Sequence, residues 1–330
     1  MFRHYYLTGA TGFLGRQVAA ALAEQDAAYS ALVMKNDPLA EELPGNARIF
    51  YGDVCDMDSL ALFLAEADEE SCLIHCAGIV SVASEPGERL YQVNVGGTEK
   101  LLRQAEKKKI GRMVYVSSVH AIPEKPKGME ITEETRFAPE LVMGDYAKSK
   151  AMATSLVLEA AEKGLNVSIV FPSGIIGPGD QGGGSISYML RSLIKGRLPM
   201  AVKGGYDFVD VRDVATGILA CTEKGLAGHG YILSGQYVQL KELLETARET
   251  LHIRRSISYL PIQIAKLVAP PYEKWSLRKK RPLFFTPYAV AVLESNGRFS
   301  SRAAAAAFGY QPRDLKSSIR DMALWLKKKG

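Results

Sequence analysis

A doubly wound parallel α/β sheet carrying a smaller, mainly helical lobe is the fold this sequence predicts. Three observations predict it. Short apolar runs alternate with helix-length segments through the first 175 residues. A glycine-rich turn separates the first apolar run from the first helical one. Beyond residue 175 a second glycine-rich stretch breaks the alternation, which does not resume cleanly. Regular strand–helix alternation builds one parallel sheet with helices over both faces.

The expected strands are HYYLTG (4–9), SALVM (30–34), RIFYGD (48–53), CLIHCAG (72–78), RMVYVSS (112–118) and NVSIVFP (166–172). Runs as continuously apolar as CLIHCAG suit strands covered on both sides. Between them lie helical stretches such as GRQVAAALAEQ (15–25), GGTEKLLRQAEKKK (96–109) and YAKSKAMATSLVLEAAEK (146–163). GIIGPGDQGGGS (174–185) is a long loop, and YDFVDVRDVATGILACTEKG (206–225) brings the chain back to the sheet. The expected division is therefore 1–175 with 206–234 as the sheet domain, and 176–205 with 235–330 as the lobe.

Composition narrows the function. Hydrophobic residues make up 47% of the 330, with glycine and proline scattered, as in a soluble globular chain. The net charge of +5 is too small for a nucleic-acid binder, and no basic stripe with interleaved aromatics is present. MFRHYYLTGA lacks the parts of a signal peptide, and no apolar run is long enough to span a bilayer. Cys55, Cys72, Cys76 and Cys221 have no metal-ligand spacing, and a buried, reduced thiol is the expectation for each. These features point to a cytoplasmic protein acting on a small molecule.

YYLTGATGFLGRQVAAAL runs from strand through Gly9-x-x-Gly12-x-x-Gly15 into a helix. Such glycines allow a tight turn, close approach of backbone to a pyrophosphate, and close packing of helix on strand. The helix N-terminus then offers N–H groups and a positive dipole end to the phosphates. Dinucleotide identity is read at the end of the second strand, where an acid would favour NAD. ALVMKNDP places Met34 and Lys35 there, with Asp37 and Pro38 as turn residues, which favours NADP(H) over NAD(H). Asp53, ending the third strand, either meets the adenine amino group or caps the helix near Asp58. Tyr146 and Lys150 share one helix face, one turn apart.

The ordered set Thr8-Gly-x-x-Gly-x-x-Gly15, Asp53, HCAG (75–78), NVGGT (94–98), YVSS (115–118), Tyr146-x-x-x-Lys150 and PSGIIGPGD (172–180) resembles the extended short-chain dehydrogenase/reductase family, also called the NAD-dependent epimerase/dehydratase superfamily. The resemblance spans almost the whole chain. It implies a Rossmann-type fold and a catalytic set of Ser118, Tyr146, Lys150 and Asn94, with no metal. Tyr146 would exchange a proton with the substrate oxygen while hydride moves to or from nicotinamide. A phenol titrates near 10 and needs help to act as a base; the Lys150 ammonium can supply it. Ser118 would hold the substrate oxygen, with Ser117 the competing assignment. Asn94 would steady the site through backbone contacts or cap the helix beginning near Gly97. The cofactor contacts implied are Gly9, Thr11, Gly12, Phe13, Leu14, Lys35, Asp53, Val54, Cys76, Ala77, Gly78, Tyr146, Lys150, Pro172, Ser173, Gly174 and Ile175. Phe171 stands where many members carry arginine, a departure that concerns the core.

Within the family, RPLFFTPYAVAVLESNGRFSSRAAAAAFGYQPR (281–313) is similar to the 3β-hydroxysteroid dehydrogenase and dihydroflavonol reductase branch. That similarity implies an oxidoreductase acting on a lipophilic or aromatic carbonyl or hydroxyl, such as a steroid or flavonoid-like compound. Phe284, Phe285, Tyr288, Leu293, Tyr188 and Met189 are candidates for an apolar pocket. The alternative is a sugar-nucleotide epimerase or dehydratase holding NAD tightly, for which Arg191 and Arg197 are available. LPIQIAKLVAPPYEKWSLRKKR (260–281) joins an apolar stretch to a basic run, as at a membrane surface, although Pro261, Pro270 and Pro271 argue against a long helix there. A homodimer packed through 96–109 and 146–163 is expected by analogy with relatives.

Overall fold

The twelve strands and twelve helices of the computed structural model, which describes residues 2–181 and 183–329, arrange around one seven-stranded sheet. Six of its strands come first: β1 (His4–Thr8), β2 (Tyr29–Val33), β3 (Arg48–Tyr51), β4 (Ser71–His75), β5 (Arg112–Val116) and β6 (Val167–Pro172). β7 (Gly174–Ile176), β8 (Met200–Val202) and β9 (Gly205–Asp210) follow, then β10 (Gly230–Leu233), β11 (Gln236–Gln239) and β12 (Ser258–Leu260). The large sheet runs β10-β6-β5-β4-β1-β2-β3, every pair parallel. β2, β4, β5 and β6 are buried at every residue, so their sequences are apolar on both faces.

One face of the sheet is covered by α1 (Phe13–Glu24), and the other by α2 (Met57–Phe63) and the short α3 (Glu88–Tyr91) with α4 (Thr98–Lys107) and α5 (Asp145–Glu162). α6 (Ser185–Ile194) enters the lobe, whereas α7 (Val211–Lys224) packs back on α1. α8 (Leu240–Thr250), α9 (Ile262–Arg278) and α10 (Pro287–Glu294) build most of the lobe. α11 (Arg302–Phe308) lies on α7 and β10, and α12 (Leu315–Lys329) closes over α6 and α8.

Three expectations are corrected here. The strand within 206–225 does not join the large sheet: β9 pairs with β7 and β11 in a small sheet of its own, and β10 supplies the seventh strand. The helix expected over 96–109 is preceded by a π-helical turn over Gln92–Gly97, in which Gly97 packs closely on Val54 where a Cβ would fall 2.9 Å from its methyl. Pro270 and Pro271 lie inside α9 and do not break it. Both prolines and residues Lys266 and Leu267, whose carbonyls lose their N–H partners, face solvent, where water can replace those bonds.

Exposure of α9 also follows a stripe. Ala265, Ala269, Glu273 and Ser276 face the protein, while Ile264, Leu267, Val268 and Trp275 face out. The exposed run Arg278–Lys280 with Arg281 continues from its C-terminal end, and Arg281 lies over the Trp275 ring at 4.5 Å. No helix among the described residues is long and apolar enough to cross a membrane. Among the four cysteines, Cys72 and Cys221 are buried, whereas Cys55 and Cys76 are partly accessible, which corrects the expectation of burial for those two.

Candidate active site

The glycine turn is built as its spacing requires. Gly9 has φ +71°, and a Cβ there would sit 2.7 Å from the backbone nitrogen of Ala77. At Gly15 a Cβ would fall 2.0 Å from the Gly9 carbonyl oxygen, so only glycine lets α1 press onto the turn. Gly12 precedes α1 without any side-chain cap, and no acid occupies the first turn, leaving Phe13 and Leu14 at a positive helix end. Thr11, Gly12, Phe13 and Leu14 are at least partly accessible beside it. A cradle that a single methyl group would fill, facing an uncapped helix end, fits a pyrophosphate.

Lys35 is exposed just past β2, and Asp37 accepts from the Leu39 N–H as a turn residue at 3.0 Å. Asp53 does not cap α2; that role falls to Asp56, which accepts from Asp58 and Ser59 backbone N–H groups. Asp53 instead accepts from the Cys55 N–H at 2.9 Å and from Arg89 at 2.5 Å. Burial alone would raise its pKa, but these two bonds hold the carboxyl below its ordinary value. Val54 is buried against Gly97, and Cys76, Ala77 and Gly78 follow β4 along the cradle.

Asn94 sits in the π-helical turn and is not a helix cap. It accepts from the Ile79 N–H at 2.7 Å and donates to the Ile79 carbonyl and to Ser149 Oγ, each at 3.0 Å. Ser149 in turn donates to the Tyr146 carbonyl at 2.8 Å. The side chain thereby ties the cofactor-facing segment after β4 to the helix that carries Tyr146 and Lys150. His75 extends the network: one ring nitrogen is 2.7 Å from Thr8 Oγ1 and the other 3.0 Å from Thr98 Oγ1. Burial, assisted by Lys150, lowers the His75 pKa to about 3, so its ring is neutral. Sequence reasoning passed over His75, although a polar residue ending an apolar strand was the available signal.

Tyr146 opens α5 and is buried, and burial raises its pKa while Ser118 draws it partly back. The adjacent Ser117 is turned away and pairs with Thr154 at 2.7 Å. Lys150 donates to the Val116 carbonyl at 2.8 Å and lies 5.0 Å from the centre of the Tyr115 ring. Its Nζ is also the neighbour that a Cβ on Gly78 would meet at 3.4 Å. Burial lowers the Lys150 pKa to about 8. Burial is the larger influence on the Tyr146 phenol, with the Ser118 hydrogen bond opposing it.

Pro172, the last residue of β6, and Ser173 after it are buried, and Gly174 and Ile175 in β7 are partly exposed. At Gly174 a Cβ would meet the Phe208 ring at 2.8 Å and the Asp207 carbonyl at 2.9 Å. Ser173 faces the buried Asp207 carboxylate, whose pKa burial raises to about 6. Phe171 stacks on Phe137 at 5.3 Å in the core.

A cavity of about 340 Å³ adjoins Tyr146 through His120 and Ala147. Val119, Ile122, Ile131, Val142 and Phe299 give it apolar walls, and the exposed Glu124 and Glu140 also line it. Of the six pocket candidates only Tyr288 lines it. Phe284 stacks on Tyr188 at 4.7 Å, Phe285 packs on Tyr272, and Met189 and Leu293 pack against core clusters. Arg191 donates to the Asp180 carbonyl and Arg197 is exposed, so neither reaches this cavity.

A sequence model described as NAD dependent epimerase/dehydratase family matches residues 5–233. The chain is 29% identical to sterol demethylase protein B of Methylococcus capsulatus over 98% of both chains. It is 33% identical to a putative dihydroflavonol 4-reductase of Synechocystis over 73% of this chain and 70% of that one. The crystal structure of gox2253 superposes with a TM-score of 0.85 at 30% identity, covering 99% of each chain.

Proposed function

Because the chain belongs to the NAD dependent epimerase/dehydratase family, whose members bind a pyridine nucleotide, we propose that it is an NADP(H)-preferring ketone reductase or secondary alcohol dehydrogenase with a lipophilic ring substrate. The observation that carries this reading is the cavity beside Tyr146. Its walls are apolar, and no lysine or arginine is among its lining residues, which include two carboxylates. A nucleotide diphosphate calls for cationic donors, which this lining does not offer. Sterol and dihydroflavonol names among the relatives support the same substrate class.

Nicotinamide, when bound along Gly78 and the 172–175 loop, supplies or takes the hydride. Tyr146 holds the proton that the substrate oxygen receives in reduction, and its raised pKa keeps that proton on Oη at neutral pH. Ser118 orients the same oxygen by a hydrogen bond. Lys150, cationic below about pH 8, stands where it can hold the ribose and favour phenolate once the proton has left. Asn94 keeps the two halves of the site in register.

A second cavity of about 680 Å³, lined in part by Lys127, Lys203 and Arg298, meets the first at Ser295. Its cations favour the alternative of a sugar-nucleotide epimerase or dehydratase, although Lys203 and Arg298 are exposed to solvent. A screen of ring ketones, steroids and hydroxylated aromatics for NADPH oxidation, run beside UDP- and dTDP-sugars, separates the two. Oxidation with ketones supports the reading; sugar conversion without net cofactor consumption overturns it.

A further inference from the structure

His120 follows Ser118 by two residues and joins three elements around the cavity. Its ring lies edge-on to Tyr146 at 5.8 Å and stacks on Tyr206 at 5.6 Å with an 11° tilt. Nδ1 is 3.2 Å from the Tyr288 hydroxyl and Nε2 is 3.4 Å from the Tyr206 hydroxyl. Tyr206 comes from β9 and Tyr288 from α10, so sheet and lobe meet at this imidazole. All three side chains line the cavity, and His120 keeps partial accessibility there.

A proton count shows what the cluster offers. Burial lowers the His120 pKa to about 4, so the ring is neutral and carries one N–H. That N–H donates to one phenol oxygen, and the other phenol donates to the bare nitrogen. The phenol that accepts from the ring still has its own hydrogen to give. Among the described residues neither phenol oxygen has another hydrogen-bond partner. Whichever tautomer is populated, one O–H donor is spare: on Tyr206 it is buried, where a donor without an acceptor is costly, and on Tyr288 it opens into the cavity. Glu124 and Glu140 line the same cavity, and Glu124 already accepts from the Asn296 N–H. Two carboxylates among the lining residues, with no lysine or arginine, disfavour an anionic ligand.

We propose that His120, Tyr206 and Tyr288 form the polar pole of the substrate cavity, binding a second, neutral oxygen of an otherwise apolar ring substrate. That hydroxyl or ketone accepts the spare phenol hydrogen and fixes which carbon is presented to Tyr146. The His120 and Tyr146 ring centres are 5.8 Å apart, which puts the second oxygen about one ring's width from the reacting carbon. The inference rests on the ketone-reductase reading and specifies its substrate class.

The test uses NADPH-loaded enzyme and matched ring ketones: 4-hydroxycyclohexanone against 4-methylcyclohexanone, and decalin-1,5-dione against 1-decalone. The measured quantity is the ratio of kcat/KM for the oxygenated ketone to that for the plain one. One additional hydrogen bond in this partly buried site predicts a ratio of about five to ten. Tyr206→Phe and Tyr288→Phe each lower the ratio, and the double variant brings it near one. The single variants decide if the double variant does not fold. A wild-type ratio near one, or a ratio unmoved by the variants, overturns the polar pole and leaves the ketone reading standing. No reduction of any ketone by the wild type overturns the ketone reading and the pole with it.

Discussion

Replacing Asp207 by asparagine is expected to stabilise the protein at neutral pH and to do little in acid. Asp207 is 3% exposed, accepts one bond from the Gly235 N–H at 2.9 Å, and supports the loop at Ser173 and Gly174. Burial raises its pKa from 3.8 to about 6. Between those two values the folded protein binds a proton that the unfolded chain has released, so stability falls as pH rises through this window. Each unit is worth about 1.4 kcal/mol, which gives a penalty of about 3 kcal/mol once the pH exceeds the folded value. Asparagine keeps an acceptor for the Gly235 N–H without the charge. Urea unfolding of both proteins measures the difference, and titrations common to both cancel. A variant more stable by about 2–3 kcal/mol near pH 7, with most of that gain gone near pH 4, is the expected outcome. A difference that does not change with pH would refute the buried-charge reasoning.

Lys35→Ala should reduce the NADPH preference by several-fold while leaving NADH affinity nearly unchanged, as read by cofactor fluorescence titration; about 1 kcal/mol is at stake for one exposed charge pair. Equal loss for both cofactors would remove Lys35 from phosphate recognition. Because burial lowers the Lys150 pKa to about 8, its ammonium form is lost above that value, and kcat/KM should decline there. Lys150→Arg should move that limb to higher pH, and an unmoved limb assigns it to another group. The exposed stripe of Ile264, Leu267, Val268 and Trp275 beside Arg278–Arg281 predicts co-sedimentation with vesicles containing phosphatidylglycerol, weakened by Leu267→Asp and by salt. No binding to such vesicles would exclude a membrane role for this face.

Local chemistry explains which features could be read from the chain. The glycine spacing was legible because it encodes steric room: a Cβ at Gly9 or Gly15 collides with backbone close in sequence or just past the adjacent strand β4. The strands were legible because both faces of the sheet are covered, which makes their apolar runs continuous. The pole around His120 was not, since it depends on a strand and a helix that meet only after the lobe folds back over β5. β9 carries the apolar pattern of a sheet strand, and nothing in that pattern distinguishes the large sheet from a three-stranded one. The prolines of α9 misled because their cost depends on whether the orphaned carbonyls reach water, which is a property of the surface and not of the sequence. Asp53 as a cap was a near miss of three residues, with Asp56 taking the role.

Transfer of deuterium from 4,4-dideuterated NADPH to the carbinol carbon of a ring-ketone product reports directly on hydride reduction at this site. One deuterium per product molecule is expected with the wild type and no product with Tyr146→Phe, which still binds NADPH. Product formed by Tyr146→Phe at a comparable rate, or label that never leaves the cofactor pool while sugar nucleotides are converted, would contradict this expectation.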